Sequence, residues 1–387
     1  MNATSFPIHG RVARGFERVR DVFVRNFDDI EIGAGFCAIV DGRTVVDLWG
    51  GFRDRECTDP WTEDTLVNVY STTKGIGAAV VASVVDEGLL DYEAPVTRYW
   101  PELRAARDGL TVGQLLSHQG GVPGLRTKVT VEDLYDWKKM VGWLENEEPR
   151  WKPGTAAGYH AIVWGYFAGE LALRTTGKSL GRLLQERFAR PLGADVHIGL
   201  PDEEHARVSC VIGPNHARKQ PPPEPLPRMP ALYTVALLNP SIRPFKDVGT
   251  APWRRAEIAA ANGHATARGL ARLYAALARG GELDGVRVLS TRAIDAARRE
   301  RPVAGLDLVL GRVMRRANGF ILNTEAQYGP NPDTYGHSGA GGSYGVADPA
   351  RRLAIGYAMN QMQPGLDPDT RGKRLLDAVY ACLPASG

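Results

Sequence analysis

The sequence predicts an α/β (α+β) fold: an antiparallel sheet flanked by helices, built from both chain ends, with a helical region inserted between them. Three observations carry this expectation. β-rich runs lie near both ends, each end also offers an amphipathic helix, and the middle is mostly helical and rich in loops.

The elements follow in order. Arg11 to Phe27, "RVARGFERVRDVFVRNF", places apolar residues at mostly helical spacing, so the chain is expected to open with an amphipathic helix. "FCAIV" and "RTVVDLWGG" are two β-rich runs joined by Asp41-Gly42, a strong hairpin signature. "GIGAAVVASVV" (Gly75 to Val85) is too short to span a bilayer and reads as a helix buried on all sides. "RKQPPPEPLPRMP" (Arg218 to Pro230) excludes regular structure, because proline lacks the N–H and fixes φ. Near the other end, Arg352 to Met362 reads as a strand and Asp369 to Leu383 as a terminal helix. The division expected is an α/β domain from residues 1–66 plus 265–387 and a helical, loop-rich domain from 67–264. The active site would lie between them.

Composition narrows the function classes. Apolar residues make up 43% of the 387 and charged residues 24%, ordinary for a globular chain with a real core. Net charge is +3, with no basic stripe interleaved with aromatics, so nucleic acid is not an expected partner. The first twenty residues hold no apolar run of signal-peptide type, and no membrane association is expected. Four scattered cysteines (Cys37, Cys57, Cys210, Cys382) make neither a disulfide framework nor a zinc pattern, which fits a reduced cytoplasmic setting. No metal and no organic cofactor is implied.

Two serines compete for chemistry. Ser343 sits in "GGSYG", a textual match to the Gly-x-Ser-x-Gly elbow, whose serine is followed in sequence by an acid and then a histidine. The last histidine is His337, before Ser343, and the segment runs into Asp348-Pro349 instead of a helix. Ser343 therefore reads as part of a glycine-rich turn beside a strand. Ser71, in "NVYSTTKGIG", stands three residues before Lys74. If a helix begins there, Lys74 lies one turn on and faces the same side, where a neutral amine can take the hydroxyl proton. The bland reading is an N-cap serine and a solvated first-turn lysine. Spacing alone does not separate the two.

Three further segments do. "TVGQLLSHQGGVPGL" (Thr111 to Leu125) is a helix-like run stopped by glycines. "WKPGTAAGYHAIVWGYFAGEL" (Trp151 to Leu171) sets Tyr159 between a Pro-Gly turn and an apolar helix. "GHSGAGGSYG" (Gly336 to Gly345) reads as a flexible loop whose backbone can approach a ligand closely. In this order, with Ser-x-x-Lys first, they resemble the serine β-lactamase-like superfamily of class C β-lactamases, penicillin-binding DD-peptidases and family VIII carboxylesterases. Nearly the whole chain is covered. "AANGHATARGLARLYAALARGG" and "GYAMNQM" look most like the esterase branch.

The resemblance implies an acylated Ser71 with Lys74 as its partner, and Tyr159 as a second base. It implies an oxyanion hole from the N–H groups of Ser71 and Ala340, and substrate contacts from His337, Ser338 and Gly339 in the place of Lys-Thr-Gly. Two positions depart from the antibiotic-hydrolysing pattern. Ala161 replaces an asparagine, and His337 replaces a lysine that holds a substrate carboxylate, which a mostly neutral histidine does poorly. Both losses point to uncharged small-molecule acyl esters. Within the superfamily the alternatives are an acyltransferase or a weak β-lactamase. A DD-peptidase or penicillin-binding protein would need export, and a non-catalytic scaffold would not need Ser71, Lys74 and Tyr159 together.

Around these residues, His118 reads as a helix-end group satisfying carbonyls, and Tyr166 and Tyr135 as rivals of Tyr159. His160 is either a site-lining or a solvent-facing residue. Of Trp137, Trp143, Trp151 and Trp164, one or two would line an acyl pocket and the rest would be core. Asp202 to His205 reads as an exposed turn.

Overall fold

The computed structural model describes residues 6–214, 230–366 and 368–384. Its centre is a seven-stranded antiparallel sheet in the order Ile8–Val12, Arg43–Gly51, Gly33–Val40, Leu353–Met359, Tyr344–Asp348, Tyr335–Ser338, Ile321–Leu322. The two chain ends meet in the middle of it, where Gly33–Val40 pairs with Leu353–Met359. At the Asp41-Gly42 hairpin φ is +47° and +80°, the positive values at both central residues that a tight hairpin turn requires.

Side-chain alternation decides what each sheet face can hold. Phe36, Ala38, Leu353, Ile355, Tyr357 and Met359 point to one face. There they pack with Val19, Phe23 and Phe27 of the helix Glu17–Asp29 and with Leu375, Leu376 and Val379 of Thr370–Cys382. The opposite face is built from small residues: Gly35, Cys37, Ala354, Gly356 and Ala358. Its smallness has a purpose. A Cβ at Gly356 would come within 2.2 Å of Ala267 O, so only glycine lets the helix Ala267–Ala278 lie this close.

Behind that helix runs Thr72–Asp86, buried from Thr72 through Val84 as expected of an all-apolar run. It also touches the Tyr335–Ser338 strand, so the helix carrying Lys74 is held directly against the sheet. Gly75 lies at that contact: a Cβ there would fall 3.1 Å from His337 Cβ on the strand and 2.0 Å from Tyr274 Oη on the helix Ala267–Ala278, a hydroxyl with no hydrogen-bond partner among the described residues. Gly75→Ala should therefore destabilise the protein by about 1–3 kcal/mol through overpacking. Tyr274→Phe in the same chain should recover part of the loss, as read from urea midpoints. No recovery would mean that the hydroxyl is not what the methyl meets.

The opening of the chain differs from expectation. Residues 8–12 form an edge strand on Arg43–Gly51, and the helix starts only at Glu17. Gly10 explains it: at φ +96° it packs 2.0 Å (ideal Cβ to Asp47 O) from the neighbouring strand, an approach that helical spacing in Arg11 to Phe16 gives no hint of. "GHSGAGGSYG" is likewise not a free loop. Gly336 to Ser338 and Tyr344 to Gly345 belong to paired strands, and only the turn between them is irregular. The proline-rich stretch, Pro230 apart, lies outside the described residues. Asp202–Arg207 is a short 3-10 turn. Among the described residues no helix is long and apolar enough to cross a membrane.

Candidate active site

Ser71 occupies the N-cap position of the helix Thr72–Asp86, yet its side chain makes no capping hydrogen bond. The hydroxyl is instead turned to two other groups. Lys74 Nζ lies 3.1 Å from Ser71 Oγ, and Tyr159 Oη lies 2.8 Å from it on another side. Tyr70, immediately before the serine, has φ +45°, a costly conformation for a bulky residue. It makes the bend between the Val67–Asn68 strand and the helix, with the Thr73 hydroxyl bonded to Tyr70 O.

Lys74 is wholly buried, and among the described residues no carboxylate is bonded to it. Burial disfavours the ammonium and holds its pKa well below the ordinary lysine range. Its other two contacts are carbonyls, Ala161 O at 2.7 Å and Ala260 O at 2.8 Å. A neutral amine has two N–H bonds and one lone pair. With both N–H groups donated to these carbonyls, the lone pair is left for Ser71. Ala161 thus supplies its main chain where its side chain has nothing to offer.

The turn Gly339 to Ser343 sits against Val69 and Thr72, which flank the bend that carries the serine. Ser343 Oγ donates to Val69 O at 2.9 Å and lies 3.0 Å from Thr72 Oγ1. It ties the turn to the helix start and is nearly wholly buried. Gly339 is hemmed in the same way, since a Cβ would fall 2.2 Å from Val69 O. Ser338 donates its hydroxyl to Leu366 O at 2.7 Å, so that group is committed within the protein. Among the described residues neither the Ser71 nor the Ala340 N–H donates to a carbonyl, whereas Gly339 N–H is bonded to Ser343 O.

Histidines surround the phenol. His118 and His337 have ring centroids 5.0 and 6.4 Å from that of Tyr159. His337 Nδ1 donates to Ser338 O at 2.7 Å, and its Nε2 is buried with no partner among the described residues. Burial first, then the nearby Lys74, keeps its pKa well below the usual histidine value, so His337 is a neutral ring. His118 is not the carbonyl-satisfying group expected: its Nδ1 accepts the His160 N–H at 3.0 Å. His160 faces inward, with its pKa pushed down to about 3 chiefly by burial. Of the tryptophans, Trp151 approaches this cluster by meeting His160 edge-on. Trp164 bonds Leu116 O and Trp137 bonds Glu170, both within the helical region. Tyr166 donates to Leu134 O at 2.6 Å and takes no part in the site.

Two neighbours have no signature in the sequence. Asp307 Oδ1 accepts the main-chain N–H of Tyr159 at 3.2 Å, and its Oδ2 pairs at 2.6 Å with Arg316, both side chains being buried. No group of His, Cys, Asp and Glu among the described residues is arranged to hold a metal ion.

A serine hydroxyl, a buried lysine and a phenol converging from two separate segments invite comparison with known proteins. The family model described as Beta-lactamase matches residues 23–380. An esterase/beta-lactamase, LipL of Mycobacterium tuberculosis, is 35% identical, covering 92% of this chain and 83% of its own. Among solved structures, a family VIII carboxylesterase is 47% identical with a TM-score of 0.91, covering 97% of this chain and 100% of that one. A penicillin-binding protein homologue from Caulobacter crescentus is 42% identical with a TM-score of 0.89, covering 97% and 100%. The chain belongs to the beta-lactamase family, within the superfamily of hydrolases that also contains the esterases.

Proposed function

We propose that the protein is a serine carboxylesterase that cleaves short-chain, uncharged acyl esters through an acyl-enzyme on Ser71. The observation that carries this reading is the position of Ser71 Oγ between Lys74 Nζ and Tyr159 Oη, with the lysine buried among carbonyls. Lys74 takes the hydroxyl proton as Oγ bonds to the ester carbonyl carbon. The carbonyl oxygen becomes an oxyanion facing the N–H groups of Ser71 and Ala340. Collapse breaks the bond to the alcohol oxygen, which leaves with a proton relayed through Tyr159. Water then adds to the acyl carbon, gives its proton to the same relay, and the acid departs as Ser71 is restored.

Two features favour an uncharged substrate. Tyr159 packs in an apolar cluster with Ala161, Ala236 and Val309, against which Leu232, Leu237, Leu310 and Leu366 lie. His337, neutral and buried, offers no fixed charge to a carboxylate. Losing one charge-assisted contact costs about 1.5–3 kcal/mol, or one to two decades in rate constant. Short p-nitrophenyl esters should accordingly exceed nitrocefin in kcat/KM by more than tenfold. The test is an ester panel beside nitrocefin, with intact mass spectrometry of quenched reactions to find an acyl adduct on Ser71. Nitrocefin turnover equal to that of p-nitrophenyl butyrate would make β-lactam opening the better reading.

A further inference from the structure

We propose that the buried Arg316–Asp307 pair is a positioning device for Tyr159, an oriented dipole whose positive end faces the phenol and stabilises its proton-poor form. This rests on the reading of Tyr159 as part of the proton relay at Ser71.

The geometry has two parts. Asp307 fixes the tyrosine in place: one carboxylate oxygen accepts the N–H groups of Tyr159, Val309 and Leu310 at 3.2, 2.8 and 2.7 Å. One side chain thereby anchors both the tyrosine and the apolar segment beside it. Arg316 supplies the charge. Its guanidinium carbon lies 6.0 Å from the Tyr159 ring centroid, while its Nη2 meets Asp307 at 2.6 Å. Arg316 is 4% exposed, so water screens this charge weakly.

The ionisable groups around Tyr159 are Lys74, His118, His160, His337, Arg316 and Asp307. The dipole's direction follows from its two ends: the guanidinium sits over the Tyr159 ring, whereas the carboxylate is turned to main-chain N–H groups. Burial does most to keep His118 and His337, which lie beside the phenol, neutral, and Arg316 pushes both further the same way. His160 feels Asp307 as well as Arg316. The cationic end is thus the end that the catalytic groups face. A guanidinium stays charged throughout the working range, unlike a histidine in this place. Placed over the Tyr159 ring it disfavours a proton on the phenol, which lowers the pH at which the Lys74–Tyr159 pair can accept the serine proton.

The test is the pH dependence of p-nitrophenyl butyrate hydrolysis in Arg316→Met, Arg316→Lys and Asp307→Asn. Beside it, the rate of Ser71 labelling by a fluorophosphonate is followed by intact mass. Arg316→Met should move the rising limb upward by about one pH unit, a roughly fivefold loss at the wild-type midpoint and about tenfold well below it, regained in base. Arg316→Lys keeps a cation and should restore most of the shift. Asp307→Asn leaves the cation unopposed and should move the limb the other way. If Arg316→Met does not fold, the neutral double variant Arg316→Met/Asp307→Asn replaces it, with the upward shift again expected. Lower thermal stability with an unmoved limb in every folded variant would overturn the proposal and leave the pair a purely structural one. A wild type that labels at Ser71 but hydrolyses no ester would instead refute the esterase reading, and the labelling limb would still test the pair.

Discussion

Ser71→Ala should abolish ester hydrolysis, with kcat lowered by about four decades or more and no acyl adduct in the intact mass spectrum. The hydroxyl is the group on which Lys74 and Tyr159 converge. Ser343→Ala is the control with the opposite outcome. Its hydroxyl is bonded to Val69 O and lies against Thr72, so its loss should cost about 1–2 kcal/mol of stability and less than tenfold in kcat. A dead Ser343→Ala beside an active Ser71→Ala would reverse the nucleophile assignment.

The second large effect is expected from the relay. Lys74→Ala should lower kcat by several decades, and Tyr159→Phe by about two or more. The double variant should be little worse than the worse single one, because either change already breaks the same proton path. Tyr166→Phe, which loses only its bond to Leu134 O, should retain most of the rate. The pH profile follows from the direction of the lysine shift. With the Lys74 pKa held below its ordinary value, the amine is neutral at a pH where a solvated lysine is charged. Activity should rise as protons leave the Lys74–Tyr159 pair, and the midpoint should lie below the pH at which free lysine titrates. Additive losses in the double-mutant cycle, or a near-normal Tyr159→Phe, would remove the tyrosine from the mechanism.

These experiments also mark what could be read from residues alone. The hairpin at Asp41-Gly42, the buried helix behind Ser71 and the strand and helix at the far end were all legible, because each depends on local pattern. Ser71 and Lys74 are one helical turn apart, so their juxtaposition is also local. Tyr159 needed the order of several motifs, since an apolar stretch offers several tyrosines of equal merit. Other features were beyond local reading. The edge strand at residues 8–12 exists because Arg43–Gly51 receives it, and helical spacing just after it pointed elsewhere. Arg316 and Asp307 look like ordinary surface charges in an arginine-rich stretch; only the fold buries them beside Tyr159. Ala260 and Ala161 contribute carbonyls, and main-chain atoms leave no trace in residue identity.

The pairing of Gly33–Val40 with Leu353–Met359 has a consequence for biosynthesis. A ribosome adding ~5–20 residues per second needs roughly 15–60 s to travel from the first of these strands to the second. Throughout that interval the nascent Gly33–Val40 strand has a neighbour on one edge only, Arg43–Gly51, and its other edge is an apolar template for any passing strand. The chain cannot close its own sheet before almost all of it has emerged. Premature stops upstream of Leu353 should therefore yield insoluble product instead of a smaller folded core, and chaperone demand during expression should fall on the full length of synthesis.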